Sequence, residues 1–271
     1  MTDRAERLAS LARGWDEAVD GYEAYFVPRF APWVAAAVRA VPAGPPPAGP
    51  LPAGPLPAGP VLVPCCGTFP ELDALAGHLP GRDIVGIDLS AGMVQRAGAR
   101  AARYPRARAV RGDASTLDGW RDRAAAVVSV FGLQQLPEPD AAIRSWVDAL
   151  RPGGRLSVVY WPRDTEADGP FAVLAGVLGA HGDDAWERRL VPAATAGGAV
   201  IERDDPLAHP MSHPDATTFF DAYTRCGPLR PLADARGEAF VARLRDEFVR
   251  HSPTGVWEHR PRARHIVARR A

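Results

Sequence analysis

The stretch from Val61 to Asp88, VLVPCCGTFPELDALAGHLPGRDIVGID, limits the possible folds of this chain more than any other. An apolar run, Val61 to Val63, enters a turn that contains Gly67. A helix-patterned segment follows, with Leu72, Leu75 and Leu79 at helical spacing. A second apolar run, Ile84 to Ile87, then ends on Asp88. Strand, glycine turn, helix and acid-tipped strand make the opening half of a doubly wound α/β sheet. In that arrangement the turn amides meet the polar groups of a nucleotide, and the acid about 20 residues past the turn accepts ribose hydroxyls.

The next hundred residues keep the alternation. Ser90 is placed to cap a helix whose inward face carries Met93, Val94 and Ala97. Ala109-Val110 reads as a short strand before Gly112-Asp113-Ala114. Ala125 to Phe131, AAVVSVF, is a continuous apolar run suited to a central parallel strand buried on both faces. After the loop GLQQLPEP, Ile143, Trp146, Val147 and Leu150 fall at i, i+3, i+4 and i+7 of a helix. Arg151-Pro152-Gly153-Gly154 is a glycine stop signal ahead of a strand from Arg155 to Trp161. Beyond Pro162 the pattern loosens. It predicts a helix around 171–178, a polar loop, a strand near Val200–Glu202, helices at 215–225 and 237–249, and a last strand at 265–268.

The flanking regions have other compositions. Residues 3–41 are helical in pattern, with Pro28 and Pro32 expected to interrupt the helix. Their aromatics (Trp15, Tyr22, Tyr25, Phe26, Phe30, Trp33) suit a cap packed on the sheet, with Tyr22 or Tyr25 closing over a bound ligand. Residues 42–60 repeat proline, alanine and glycine. They offer few donors and nothing to bury, as in a semi-rigid tether. The chain thus divides into a cap (1–41), a linker (42–60), an α/β core (61–162), and a lid with the final strands of the same domain (163–271).

Composition excludes several chemistries. The chain balances 32 basic against 32 acidic residues, so no global field favours nucleic acid or an anionic membrane. Every basic residue is arginine; the absence of lysine removes a phosphate-loop lysine, a Schiff-base lysine and a lysine base together. Three cysteines give neither a disulfide framework nor zinc spacing, and Cys65 and Cys66 fit packing in the turn. No apolar run spans a membrane and the start is charged. A cytoplasmic protein is expected, monomeric or homodimeric, with no metal, nucleic acid or membrane partner.

Taken in order, VLVPCCGT, IVGIDLSAGMVQRA, VRGDASTL, AVVSVFGLQQLPEP and LRPGGRLSVVYW resemble the class I S-adenosylmethionine-dependent methyltransferases. The resemblance covers residues 61–162. It implies a Rossmann-like, doubly wound sheet of seven strands, mostly parallel with an antiparallel last strand, with an N-terminal helical cap and a C-terminal helical lid. It implies S-adenosylmethionine as cofactor. Pro64, Cys65, Gly67 and Thr68 would lie against its methionine and ribose, Asp88 would accept the ribose hydroxyls, and Leu89 and Met93 would pack on the adenine. Asp113, with Ala114 beside it, would take the adenine amino group. Phe131 and Gln135 would border the sulfonium and the acceptor, and Tyr25 would close over them. The turn departs from the family at three places: Val63 stands where an acid is usual, and Cys65 and Phe69 where glycines are usual.

Methyl transfer from a sulfonium needs nucleophile and methyl held in line, and a phenol or protonated amine also needs a base. His209 and His213 in LAHPMSHP lie where the family places its substrate lid, and His259 in VWEHRP follows as a third candidate. An aromatic lid (Phe219, Phe220, Tyr223, Trp161, Trp186) suits a small acceptor, such as a secondary metabolite or peptide, methylated on O or N. The alternatives are non-methylating chemistry on the same scaffold, such as cyclisation or elimination, and a binding protein without catalysis.

Overall fold

Alternation along the strands builds the centre of the molecule. Val61, Val63, Ile84, Val128, Val130 and Val159 pack into one buried cluster, and Leu62, Val85, Ile87, Val127, Leu156 and Val158 into another. This is the two-residue period of a strand, with helices covering both faces of the sheet. The computed structural model describes residues 2–43, 55–179, 184–227 and 229–271. Most of the proline repeat therefore lies outside the described residues.

The elements in chain order are α1 (Thr2–Arg39), β1 (Val61–Pro64), α2 (Leu72–His78), β2 (Ile84–Asp88), α3 (Ala91–Ala101), β3 (Ala107–Arg111), β4 (Ala124–Val130), α4 (Pro139–Ala149) and β5 (Leu150–Tyr160). Then come α5 (Pro170–Leu178), α6 (Ala185–Ala196), β6 (Ala199–Ala208), β7 (Met211–His213), α7 (Ala216–Arg225), α8 (Arg230–Arg236), α9 (Glu238–Arg250), β8 (Trp257–His259) and β9 (Arg262–Arg270). The seven-stranded sheet has the order β3-β2-β1-β4-β5-β9-β6. Only β9 runs against the others, pairing antiparallel with β5 and β6. The expected doubly wound, mostly parallel sheet with its reversed strand is therefore present. A separate ribbon of β7 and β8 joins two distant segments, His213 opposite Trp257 and Met211 opposite His259.

Four local expectations fail, each for a packing reason. α1 runs unbroken through Pro28 and Pro32. Two helix-interior prolines cost roughly 3 kcal/mol each. Phe26, Phe30, Trp33, Val34, Ala37 and Val38 are buried along one side, and large apolar side chains gain about 1.5–3 kcal/mol apiece. Trp33 also donates from Nε1 to the Leu207 carbonyl at 2.9 Å, tying the helix to β6. Second, no glycine caps α4: it passes at Leu150 straight into β5, and Arg151 to Gly154 form a bulge between the Ala124–Leu150 and Ala126–Arg155 pairs. Third, the segment read as a polar loop contains α6, whose Leu190 and Ala194 are buried in the α4 cluster. Fourth, β6 and β9 are longer than predicted because each completes the other's hydrogen bonding. Among the described residues no helix is long and apolar enough to cross a membrane.

Candidate functional site

After β1 the backbone takes left-handed conformations at Cys65 (φ 56°), Gly67 (φ 52°) and Phe69 (φ 66°). Such angles suit glycine and cost a bulky residue on the order of 1–3 kcal/mol. The turn thus keeps the shape of a glycine turn while carrying side chains at two of its three positions. Glycines across from it make the room. A Cβ on Gly86 would come within 2.8 Å of the Phe69 ring, and a Cβ on Gly132 would collide with Cys65 Cβ. Phe69 is fully buried, so its ring adds bulk to the core and not to the ligand side. Burial pushes both turn thiols well above the ordinary range, leaving Cys65 and Cys66 neutral.

The two acids stand at the tips of adjacent strands. Asp88 Oδ2 accepts the Gly67 amide at 2.8 Å and Oδ1 accepts the Ser90 amide at 3.0 Å, which leaves each oxygen a further lone pair. Burial raises the Asp88 pKa despite those amides. Asp113 Oδ1 accepts from Ser115 N at 2.9 Å and Ser115 Oγ at 2.6 Å, while Oδ2 receives Arg4 Nη2 at 2.9 Å. Ser90 caps α3 as expected, accepting from Met93 N at 3.0 Å.

The first half of α1 forms a roof over these strand tips. Asp16 receives Ser90 Oγ (2.6 Å) and Gly92 N (2.9 Å), and Glu23 pairs with Arg100 at 2.5 Å. Beneath lies a cleft that is partly open to solvent. Cys65, Gly67, Asp88, Leu89, Met93, Asp113, Ala114, Phe131 and Gln135 line it. Pro64, Thr68 and Tyr25 do not. Pro64 accepts Ser129 Oγ at 3.1 Å within the sheet, and Thr68 is fully buried. Tyr22, rather than Tyr25, borders the cleft.

The candidate histidines also fall elsewhere. Tyr25 Oη lies 2.7 Å from His213 Nδ1, His213 Nε2 lies 2.9 Å from His259 Nε2, and His259 Nδ1 lies 2.6 Å from Glu166 Oε2. One proton arrangement satisfies the whole row with both rings neutral: His259 donates to Glu166, His213 to His259, and Tyr25 to His213. Burial, with His259 and Arg29 nearby, pushes the His213 pKa down to about 3. Phe171, Phe219 and Tyr223 stand around this row, and neither His213 nor His259 lines the cleft. His209 is separate again: its ring meets Trp33 edge-on at 5.1 Å, and burial, then Arg260 and Arg39, lowers its pKa. The assignment of these histidines as bases bordering the acceptor is thus not what the geometry presents. The β7–β8 pairing draws His213 and His259 into a buried brace between cap and lid. Among the described residues no group of three or more His, Cys, Asp or Glu side chains could hold a metal ion.

Comparison with known proteins adds the family. Residues 61–154 match the methyltransferase domain family. Residues 61–154 are a class I S-adenosylmethionine-dependent methyltransferase domain. Trans-aconitate 2-methyltransferase of Deinococcus radiodurans is 38% identical over 94 residues, 34% of each protein, so the match spans about a third of that relative. Geranyl diphosphate C-methyltransferase of Streptomyces coelicolor A3(2) shares the fold across 98% of both chains at 13% identity (TM-score 0.58); its structure holds Mg2+, geranyl diphosphate and S-adenosyl-L-homocysteine. A [4+2]-cyclase shares it over 78% of this chain and 75% of its own, at 21% identity (TM-score 0.50).

Of the pair Tyr22 and Tyr25 the structure selects Tyr22, because spacing alone does not say which side of α1 meets the turn. Two further residues have no counterpart in the sequence reading. Gln134, neighbour of the predicted Gln135, also lines the cleft. Glu71 lies buried at the start of α2 with Oε2 unpartnered, and burial pushes its pKa up to about 8. An acid two residues beyond Phe69 was the available signal for it, though a helix start normally displays its acid to water.

Proposed function

We propose that this protein is an S-adenosylmethionine-dependent methyltransferase acting on an O or N atom of a small, largely apolar molecule. One observation carries the reading: Asp88 and Asp113, at the ends of β2 and β3, line one cleft together with Leu89, Met93, Ala114 and the left-handed turn at Cys65 and Gly67. Acid, apolar shelf and acid suit ribose hydroxyls, an adenine face and an adenine amino group. In this reading Asp88 holds the ribose with its remaining lone pairs, Asp113 and Ala114 meet the adenine edge, and Cys65 and Gly67 lie under the methionine. The cofactor supplies an electrophilic methyl group. Phe131, Trp161 and the α1 roof exclude water and set the acceptor in line, which is where much of the rate of such a displacement arises. Val63 is fully buried, so no acid at that position meets the methionine ammonium.

The non-methylating alternative draws on the cleft itself, since none of the three candidate bases borders it. Calorimetric titration with S-adenosylmethionine and S-adenosylhomocysteine tests the first step. Micromolar binding of both is expected, and no heat at millimolar ligand overturns the reading. Transfer of a labelled methyl group to an acceptor then separates methylation from cofactor binding without turnover.

A further inference from the structure

The cleft divides at the boundary between β1 and β4, where the strand order reverses and open α/β sheets form their crevice. Its two charged liners, Asp88 and Asp113, both stand on the β2–β3 side, while Phe30, Phe131 and Trp161 wall the β4–β5 side. Tyr22 of α1 hangs over the turn between the two halves. A Cβ on Gly67 would touch the Tyr22 ring at 3.7 Å. Trp15, Phe26 and Phe30 surround that ring, with centroids 5.6, 5.8 and 6.4 Å away, and all three line the cleft as well.

The Tyr22 hydroxyl has no hydrogen-bond partner among the described residues, yet it is not one of the orphaned atoms sealed off from solvent. Tyr22 is half-buried. Because its ring neighbours all face the cleft, the surface it keeps opens there. Burial, then the carboxyl groups of Glu71, Asp88 and Glu23, raise its pKa, so the group stays a phenol. The same acids select the ligand group that meets it. Among the described residues no arginine or histidine lines the cleft. A carboxylate brought to Tyr22 would meet acids and no cation, whereas an ammonium complements them. A phenol oxygen accepts as well as donates.

We propose that the Tyr22 hydroxyl holds the ammonium of the cofactor's methionine, accepting an N–H where the acid usual at the position of Val63 is missing. The proposal rests on the methyltransferase reading, in which Cys65 and Gly67 lie under the methionine, and it names the residue that grips that end from above. Val63 is fully buried in β1 and offers no oxygen. Glu71 does not replace it, because its free Oε2 is sealed from the cleft. Tyr25, three residues on, is engaged with His213, which leaves Tyr22 as the free phenol of α1. A hydrogen bond from an ammonium is charge-assisted and stronger than a neutral pair. Holding the methionine arm fixes the direction of the sulfonium, whose methyl must point along the line of attack.

The test is calorimetry on the full chain with three thioethers of 5′-deoxyadenosine that differ only in the arm on sulfur: propyl, 3-aminopropyl, and the amino-acid arm of S-adenosylhomocysteine. Propyl against aminopropyl isolates the ammonium, and aminopropyl against S-adenosylhomocysteine isolates the carboxylate. In the wild-type chain the aminopropyl compound is expected to bind about ten- to a hundredfold tighter than the propyl one, the effect of a hydrogen bond to a charged group. Tyr22→Phe keeps the ring and its packing. It is expected to erase that advantage, to weaken S-adenosylhomocysteine by the same factor, and to leave the propyl compound within about twofold. No advantage in the wild-type chain overturns the proposal without any variant. An advantage that survives Tyr22→Phe overturns it too, as does an equal loss of all three ligands. A loss confined to S-adenosylhomocysteine would place the carboxylate at Tyr22 and overturn it as well. If none of the three binds the wild-type chain, the methyltransferase reading itself falls, and the role of Tyr22 with it.

Discussion

The two halves of the cleft are built on opposite principles. The β2–β3 half is polar and set mainly by the loops at the strand tips: Asp88 is held by the amide of Ser90, two residues on, and by that of Gly67 in the turn after the neighbouring strand β1, and Asp113 by Ser115 two residues on, with Arg4 of α1 as its one distant partner. The β4–β5 half is apolar and assembled from afar, with Phe26 and Phe30 from α1, Trp161 after β5 and Tyr223 from α7. A local polar site is fixed by short loops and can be read from motif spacing. A wall gathered from separate elements has no such motif, since each of its side chains is set by a different stretch of chain.

The turn between the halves supplies the largest test of this contrast. Phe69→Ala removes a fully buried ring and is expected to cost about 3–5 kcal/mol of stability, measured by denaturant unfolding. Cofactor affinity should change little, because the ring faces Gly86 in the core. A variant of wild-type stability, or one with lost affinity and intact stability, would place Phe69 on the ligand side.

Asp88→Ala comes next. Loss of hydrogen bonds to a charged group predicts about 1.5–3 kcal/mol weaker S-adenosylhomocysteine binding by calorimetry. The apolar half should be untouched, so affinity for an apolar aromatic probe, 1-methylnaphthalene, stays the same. Unchanged cofactor binding would move the nucleotide end away from β2.

The gentlest expected effect belongs to the brace behind the aromatic wall. His213 in the brace, and His265 buried in β9 beside Ser157, are held neutral in the fold, with pKa values pushed down by burial to about 3 and about 4. In the unfolded chain they titrate near 6.5. Between those values the unfolded state binds protons that the folded state does not, so stability falls as pH drops from about 6.5 towards 4. Glu71 acts in the opposite sense: with its folded pKa near 8, it lowers stability as pH rises from about 4.5 to 8. Thermal unfolding across pH should show His213→Gln with a shallower acid slope than wild type. Equal slopes would mean that His213 is protonated in the fold.

Much of this protein was determined by sequence alone. The short continuous apolar runs of Val61–Val63, Ile84–Ile87 and Ala125–Phe131, rich in β-branched residues and closed off by turn residues, specified parallel strands buried on both faces. Asp88 and Asp113 were legible for the same reason: strand tip and turn are contiguous in the chain. What tertiary structure decided was everything that depends on which distant residue stands opposite. Gly86 and Gly132 make room for Phe69 and Cys65, so the side chains on an apparently damaged turn leave its glycine-like backbone intact. Packing carries α1 through two prolines and brings Tyr22, not Tyr25, to the cleft. The β7–β8 pairing spends His213 and His259 on a buried brace. A pattern of spacing records which faces seek burial; the partner that meets each face is known only once the chain has closed on itself.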